Sequence, residues 1–457
     1  MTNLKILKLS LRDYRCFEAI DVSFHPQLTV LTASNGAGKT SILDAIAVAF
    51  GPYIGAFDEA TGKHFEPSDI RLARVRETTS NEMEYAPRGV SLEAWGVIPG
   101  SVVDSLDLGA QDNWQRALTG PTKAKTTIKD AKQLSDYGKR QQESVRTPGS
   151  DTVLPLLAYY GTGRLWQQKK LMDSKLPRTS RTIGYTDCLD PASSYKSFVA
   201  WFRYWSTNAF KGQLNANQAG RVYAPTEFDH YIASVGEAVN TCLAPSQWKN
   251  LAYSLSREEL VAHHDDHGEL PVELLSDGIR NMVGMVADIA FRATKLNPQM
   301  GSNAAKDTPG VVLIDEVDMH LHPEWQQVVL QSLIAAFPRL QFIVSTHSPQ
   351  VLSTVQRENI RVIGRNIEGR FIAEPPLAET YGEPSGQVMR SVMAVDPQPP
   401  VAEKADLLRL TELVDQGQYG AIDAQQLMQS LLGALSAQHP QLQRLQRSIR
   451  RQEALRR

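Results

Sequence analysis

Residues 311–325 read VVLIDEVDMHLHPEW. Four apolar residues, three of them β-branched, run directly into two adjacent carboxylates, Asp315 and Glu316. A short apolar run of this kind predicts a strand buried on both faces. Its end lies at the carboxyl edge of a sheet, where open α/β folds bind ligands. Two carboxylates placed there without a partner would be costly, so a metal ion held with a phosphate group is the expected reason for them. The segment has the form of a Walker B motif and requires a phosphate-binding loop elsewhere in the chain.

That loop is residues 33–40, ASNGAGKT. It follows an apolar strand predicted over 28–32 and opens a helix predicted over 41–50, the context a P-loop needs. Asn35, Gly36, Ala37 and Gly38 offer backbone N–H groups to phosphate oxygens, and the helix start adds its partial positive charge. Lys39 is expected to bridge the β- and γ-phosphates, Ser41 to continue the loop into the helix, and Thr40 to ligate Mg²⁺ beside Asp315. Ala33 stands where the pattern usually has its first glycine, a change that a negative φ tolerates.

Composition sets the frame. The 457 residues suit one large or two to three ordinary domains, and 42% hydrophobic with 21% charged residues is usual for a soluble globular chain. No apolar run reaches a membrane span and residues 1–10 carry no signal-peptide pattern, so a cytoplasmic protein is expected. Cys16, Cys188 and Cys242 have neither metal-site spacing nor an even disulfide count. The formal charge of −2 hides two basic stretches: 13 Lys/Arg against 5 Asp/Glu in 121–181, and six Arg against one Glu in 444–457. Either could meet a phosphate backbone, or simply be a solvated face.

Two further segments define the kind of nucleotide site. Residues 275–279, LSDGI, precede a long apolar-periodic helix and place Ser276, Asp277 and Gly278 at its start. Residues 340–344 predict another buried strand, ending in STHSP, which puts His347 at the same sheet edge as Asp315 and Glu316. With these four ordered motifs the chain resembles the ABC-type ATPases, in the RecF/SMC-like branch rather than the transporter subunits. The match covers residues 1–50 and 250–365. His-Leu-His-Pro at 320–323 is the form that branch has after Walker B, and 11–40 resembles its opening strand pair and P-loop. The resemblance implies an α/β head, a mixed twisted sheet flanked by helices. It also implies ATP and Mg²⁺ as ligands, Glu316 as the group activating water, His347 on the γ-phosphate, and Arg12 and Arg15 near the nucleotide. Two heads would sandwich ATP, the Ser276-Asp277-Gly278 segment of one closing over Lys39 and Thr40 of the other.

Lys39 and Asp315 are 276 positions apart, so a large insertion separates the motifs. The reading divides the chain into an N-lobe (1–50), a mostly helical insertion (51–249), a C-lobe (250–375) and a helical C-terminal region (376–457). The insertion lacks heptads, which excludes a long coiled coil. Its strand at 154–160 and the following Gly-Thr-Gly-Arg occupy the place of a Q-loop, without a glutamine. The cluster His263, His264, Asp265, Asp266, His267 precedes Gly268 and reads as a hairpin turn rather than a metal site. In the tail, Leu407, Leu410, Leu413, Leu427, Leu431, Leu435, Leu442, Leu445 and Ile449 mark three amphipathic helices.

Residues 157–166, 190–195, 275–278 and 396–400 together resemble the PtuA family, the ATPase subunits of Septu anti-phage systems. That resemblance implies a homo-oligomer of ATPase dimers carrying an HNH endonuclease subunit, with DNA met mainly through the complex. The alternative is a stand-alone RecF-like ATPase acting directly on DNA in repair or genome maintenance.

Overall fold

A computed structural model describes residues 3–74, 83–101, 111–122, 124–163, 180–191 and 196–455. Arg164, Leu165, Trp166 and residues 192–195, which the sequence reading singled out, lie outside them. The chain forms two compact units, Met1–Met393 and Ala394–Arg457.

The first unit is organised by one ten-stranded sheet. Its strands are β1 (Lys5–Tyr14), β2 (Phe17–Ser23), β3 (Leu28–Thr32), β6 (Val90–Val97), β7 (Asp112–Leu118), β8 (Leu156–Tyr160), β12 (Gly310–Ile314), β13 (Leu340–Ser345), β14 (Ile360–Arg365) and β15 (Phe371–Glu374). The remaining strands are the small pair β4 (Leu72–Arg74) with β5 (Met83–Tyr85) and the three-stranded β9 (Trp248–Ser254), β10 (Glu259–His264), β11 (Gly268–Pro271). The large sheet runs β7-β6-β1-β2-β15-β14-β3-β13-β12-β8. It has two characters. β7, β6, β1 and β2 pair antiparallel, whereas β14, β3, β13, β12 and β8 are all parallel.

The parallel half has the continuous burial its apolar sequences predict: every residue of β3, β12, β13 and β8 is buried. Register aligns their carboxyl ends. Ile314 pairs with Val344 on one side and Tyr160 on the other, and Ser345 pairs with Leu31. The P-loop strand β3 and the acidic strand β12 are thus separated by β13 alone. The segment between the two nucleotide motifs supplies β6, β7 and β8 to this sheet, besides helices Lys132–Arg146, Lys196–Gln218 and Glu227–Leu243.

Helix Lys39–Ile54 leaves the P-loop and packs on β6, β7 and β13, so it spans both halves of the sheet. Its far end is fixed by two buried side chains of β7: the Trp114 indole donates to the Ala49 carbonyl at 3.0 Å, and Arg116 to the Val48 carbonyl at 2.7 Å. Complete burial lowers the Arg116 pKa to about 10. The His264–His267 segment is the β10–β11 turn, with His263 paired to Glu269.

The second unit is a three-helix cluster, Lys404–Asp415, Ile422–Leu435 and Pro440–Leu455. Leu407, Leu410, Leu431, Leu442 and Leu445 form its buried core, with Leu413, Leu427, Leu435 and Ile449 packed against them. The leucine stripes legible in the sequence therefore bury one another.

Candidate functional site at the carboxyl edge of the parallel strands

The loop between β3 and helix Lys39–Ile54 contains the two glycines in left-handed conformation, Gly36 (φ 77°) and Gly38 (φ 98°). Gly38 has a second constraint. A Cβ there would lie 2.2 Å from Phe17 Cζ and 2.9 Å from Cys16 Sγ, so the β1–β2 turn is seated directly on the loop. Lys39 is nearly buried, and its ammonium donates to the carbonyls of Ala33 (3.2 Å) and Ser34 (3.3 Å). Burial lowers its pKa, opposed by the charges of Asp315, Glu316 and Asp318.

Across the sheet edge, the Thr40 hydroxyl donates to Asp315 Oδ2 at 2.7 Å, joining groups 275 positions apart in sequence. Asp315 is 2% exposed, and its other oxygen accepts from the Ser345 hydroxyl at 2.5 Å. Ser345 also receives the Glu316 N–H at 2.8 Å, so one serine at the end of β13 orients both acids. Glu316 has φ 49°, uncommon for a residue with a side chain, which turns the chain sharply as it leaves β12. After it, Thr346 donates to Asp318 at 2.5 Å, tying the chain beyond β13 to the chain beyond β12.

These residues surround one cavity of about 500 Å³, lined by Arg15, Cys16, Asn35, Gly36, Gly38, Lys39, Thr40, Ser41, Asp315, Glu316 and His347. Ala37 lies within the same loop. Arg15, at φ 49° in the β1–β2 turn, is held by Asp44 (2.5 Å) and Asp69 (2.8 Å). Burial opposes its charge, but Tyr14 and the two carboxylates outweigh it and the pKa is raised. Arg12 lies elsewhere. It belongs to the strand proper, pairs with Asp21 at 3.3 Å and lines a second cavity along β2 and β15, which Arg365 and Phe371 also line, so the structure does not bring it among the residues lining the first.

Ser276, Asp277 and Gly278 also lie outside the cavity. They open helix Asp277–Leu296, with Ser276 and Asp277 exposed and Asp277 ion-paired to Arg280. Gly278 is buried against the 320–321 backbone: a Cβ would meet the His320 carbonyl at 2.4 Å. Beside this segment Leu274 is 72% exposed. The same helix is tied to the sheet edge through its interior. Tyr160, the last residue of β8, donates to Asp288 Oδ2 at 2.8 Å, which also takes the Arg292 Nε–H at 2.7 Å.

Sequence reasoning did not find Ser345, Asp44 or Asp69. Ser345 could have been found as the polar residue closing an apolar strand next to Walker B. Asp44, four residues after Thr40, lies on the same helix face.

A hydrogen bond from a P-loop threonine to a carboxylate at an acidic strand end, on a sheet with one strand between them, is the arrangement of a P-loop nucleotide site. A family model described as "AAA domain" matches residues 8–219, and one described as "AAA domain, putative AbiEii toxin, Type IV TA system" matches 245–353. The chain is thus similar to AAA domains over both stretches, which carry the P-loop and the acidic strand. Among individual proteins it is similar to "Retron Vc95 probable ATPase" of Vibrio cholerae serotype O1 biovar El Tor, 25% identical over 91% of this chain and 84% of that one. It is also similar to "Septu protein PtuA" of Bacillus thuringiensis, 30% identical over 102 residues, 21% of this chain and a quarter of that protein. A solved SmcHead bound to the C-winged helix domain of ScpA aligns over 80% of this chain and 96% of its own, with 15% identity and TM-score 0.44. Among the described residues no helix is long and apolar enough to cross a membrane.

Proposed function

We propose that this chain binds ATP with Mg²⁺ and hydrolyses it as the ATPase subunit of a cytoplasmic anti-phage defence complex. The observation that carries the chemical part is the 2.7 Å contact of Thr40 with Asp315 inside a cavity that also holds Lys39, Glu316 and His347. A hydroxyl beside a buried carboxylate is the donor set a Mg²⁺ ion takes when substrate phosphates supply its other ligands. Thr40 and Asp315 would hold the ion, which when bound neutralises charge on the β- and γ-phosphates. Backbone N–H groups from Asn35 through Ser41 and the Lys39 ammonium receive the triphosphate. Glu316 accepts a proton from the attacking water, and His347 contacts the γ-phosphate. Arg15 borders the site from the β1–β2 turn.

One head supplies no group from Ser276, Asp277 or Gly278 to its own cavity. A second copy presenting that segment, with exposed Leu274 beside it, would complete the site, so the working form is a homodimer or a higher homo-oligomer. Residues 1–50 and 250–375 form the two head lobes in this reading, 51–249 an insertion, and 376–457 a region able to dock a partner. The partner proposed is an HNH nuclease subunit, supported by the PtuA-like stretch, with DNA reached through the complex. Co-purification of a tagged chain with a co-expressed HNH protein from its own locus, followed by nuclease assays with and without ATP, tests this. A nuclease indifferent both to this chain and to ATP would exclude it.

A further inference from the structure

In the ATP-binding reading Asp315, Glu316 and His347 meet the γ-phosphate, and the base lies toward Arg15, Cys16 and Ser41, which line the same cavity. No aromatic ring of the β1–β2 turn is free to meet it, because Tyr14 and Phe17 are fully buried. The Arg15 guanidinium is already engaged by Asp44 and Asp69. The next element along the sheet edge is the β14–β15 hairpin. Arg365 and Phe371, which line the second cavity, are cross-strand partners there, with the guanidinium carbon 4.0 Å from the ring centroid. Phe371 meets Phe17 edge to face at 4.9 Å, and Phe17 touches Gly38 of the P-loop. Arg365 is fixed further by a 2.6 Å bond to the Gly369 carbonyl and has no carboxylate partner among the described residues. Its charge acts on the Cys16 thiol, whose pKa burial nonetheless keeps raised.

We propose that Arg365, packed over Phe371 and exposed, is the base-recognition residue of this nucleotide site, its guanidinium stacking on the purine ring. The inference rests on the ATP-binding reading above. A planar guanidinium stacks well on a purine, and one already placed over an aromatic ring and bonded to a carbonyl has less ordering cost left on binding.

The test is calorimetric titration of the full-length chain with MgATP and, separately, with inorganic tripolyphosphate and Mg²⁺. Arg365→Ala should weaken MgATP binding about tenfold, the scale of one lost base stack. Tripolyphosphate, which has no base, should bind the variant as it binds the wild type. Arg365→Lys keeps the charge without the plane and should recover little. Equal ATP affinity in Arg365→Ala, equal losses for both ligands, or full recovery by lysine would each overturn the assignment. A wild-type chain that binds no ATP would instead remove the nucleotide reading itself.

Discussion

Asp288→Asn probes the buried connection between helix Asp277–Leu296 and the sheet edge. Asp288 and Arg292 have side chains 2% and 5% exposed, and Asp288 Oδ2 accepts from both Arg292 and Tyr160. Burial opposes the Arg292 charge, yet Asp288 together with Tyr160 and Cys188 outweighs it and the guanidinium pKa is raised. The substitution keeps the shape and removes the counter-charge. Two carbonyls, Gly184 at 2.9 Å and Thr186 at 3.0 Å, remain as acceptors for Arg292. An uncompensated buried charge costs about 3–5 kcal/mol, and these carbonyls place the expected loss near the lower end. Urea unfolding followed by tryptophan fluorescence reads it, because Trp205 packs on Phe291 of the same helix. Arg292→Met with Asp288→Asn should recover at least half, since no charge is then stranded. A stability loss below about 0.5 kcal/mol for the single variant, the scale of an ordinary surface change, would refute the reasoning.

Three other outcomes follow from the same geometry. Gly38→Ala adds a left-handed penalty of about 1–2 kcal/mol and drives a methyl into Phe17; ATP binding measured by calorimetry should fall at least tenfold while overall helix content persists. Gly278→Ala should disturb the contact with the His320 carbonyl, reducing ATP-dependent self-association more than ATP binding by the single chain. Lys39 binds phosphate in its charged form and its pKa is lowered by burial. ATP affinity should therefore decline with rising pH below the ordinary lysine range, and a flat profile there would contradict the burial argument.

The parallel half of the fold was legible because its strands bury both faces, which leaves apolar runs at 28–32, 311–314 and 340–344 ended by chemistry-bearing residues. The site's own chain neighbours were equally readable: the glycines, Lys39 and Thr40 follow one another in sequence, and so do the two acids. What escaped is what sheet order creates. β14 and β15 enter between β2 and β3, bringing Phe371 against Phe17 of the β1–β2 turn, which itself touches the P-loop. Ser345 gains its role only through the β12–β13 register. Arg12 and Arg15 look equivalent in sequence, but a strand position and a left-handed turn position send them to different places. The separate core of the tail depends on which helices its leucines meet, and amphipathic spacing alone does not specify that.

The central claim is that Glu316 activates water on ATP held by Lys39 and Thr40. Single-turnover hydrolysis of radiolabelled ATP by Glu316→Gln, with bound nucleotide quantified in the same samples, tests it. The account predicts retained ATP binding with the rate lowered roughly 10²–10⁴-fold, the range for losing a general base. Hydrolysis by Glu316→Gln at the wild-type rate would contradict it.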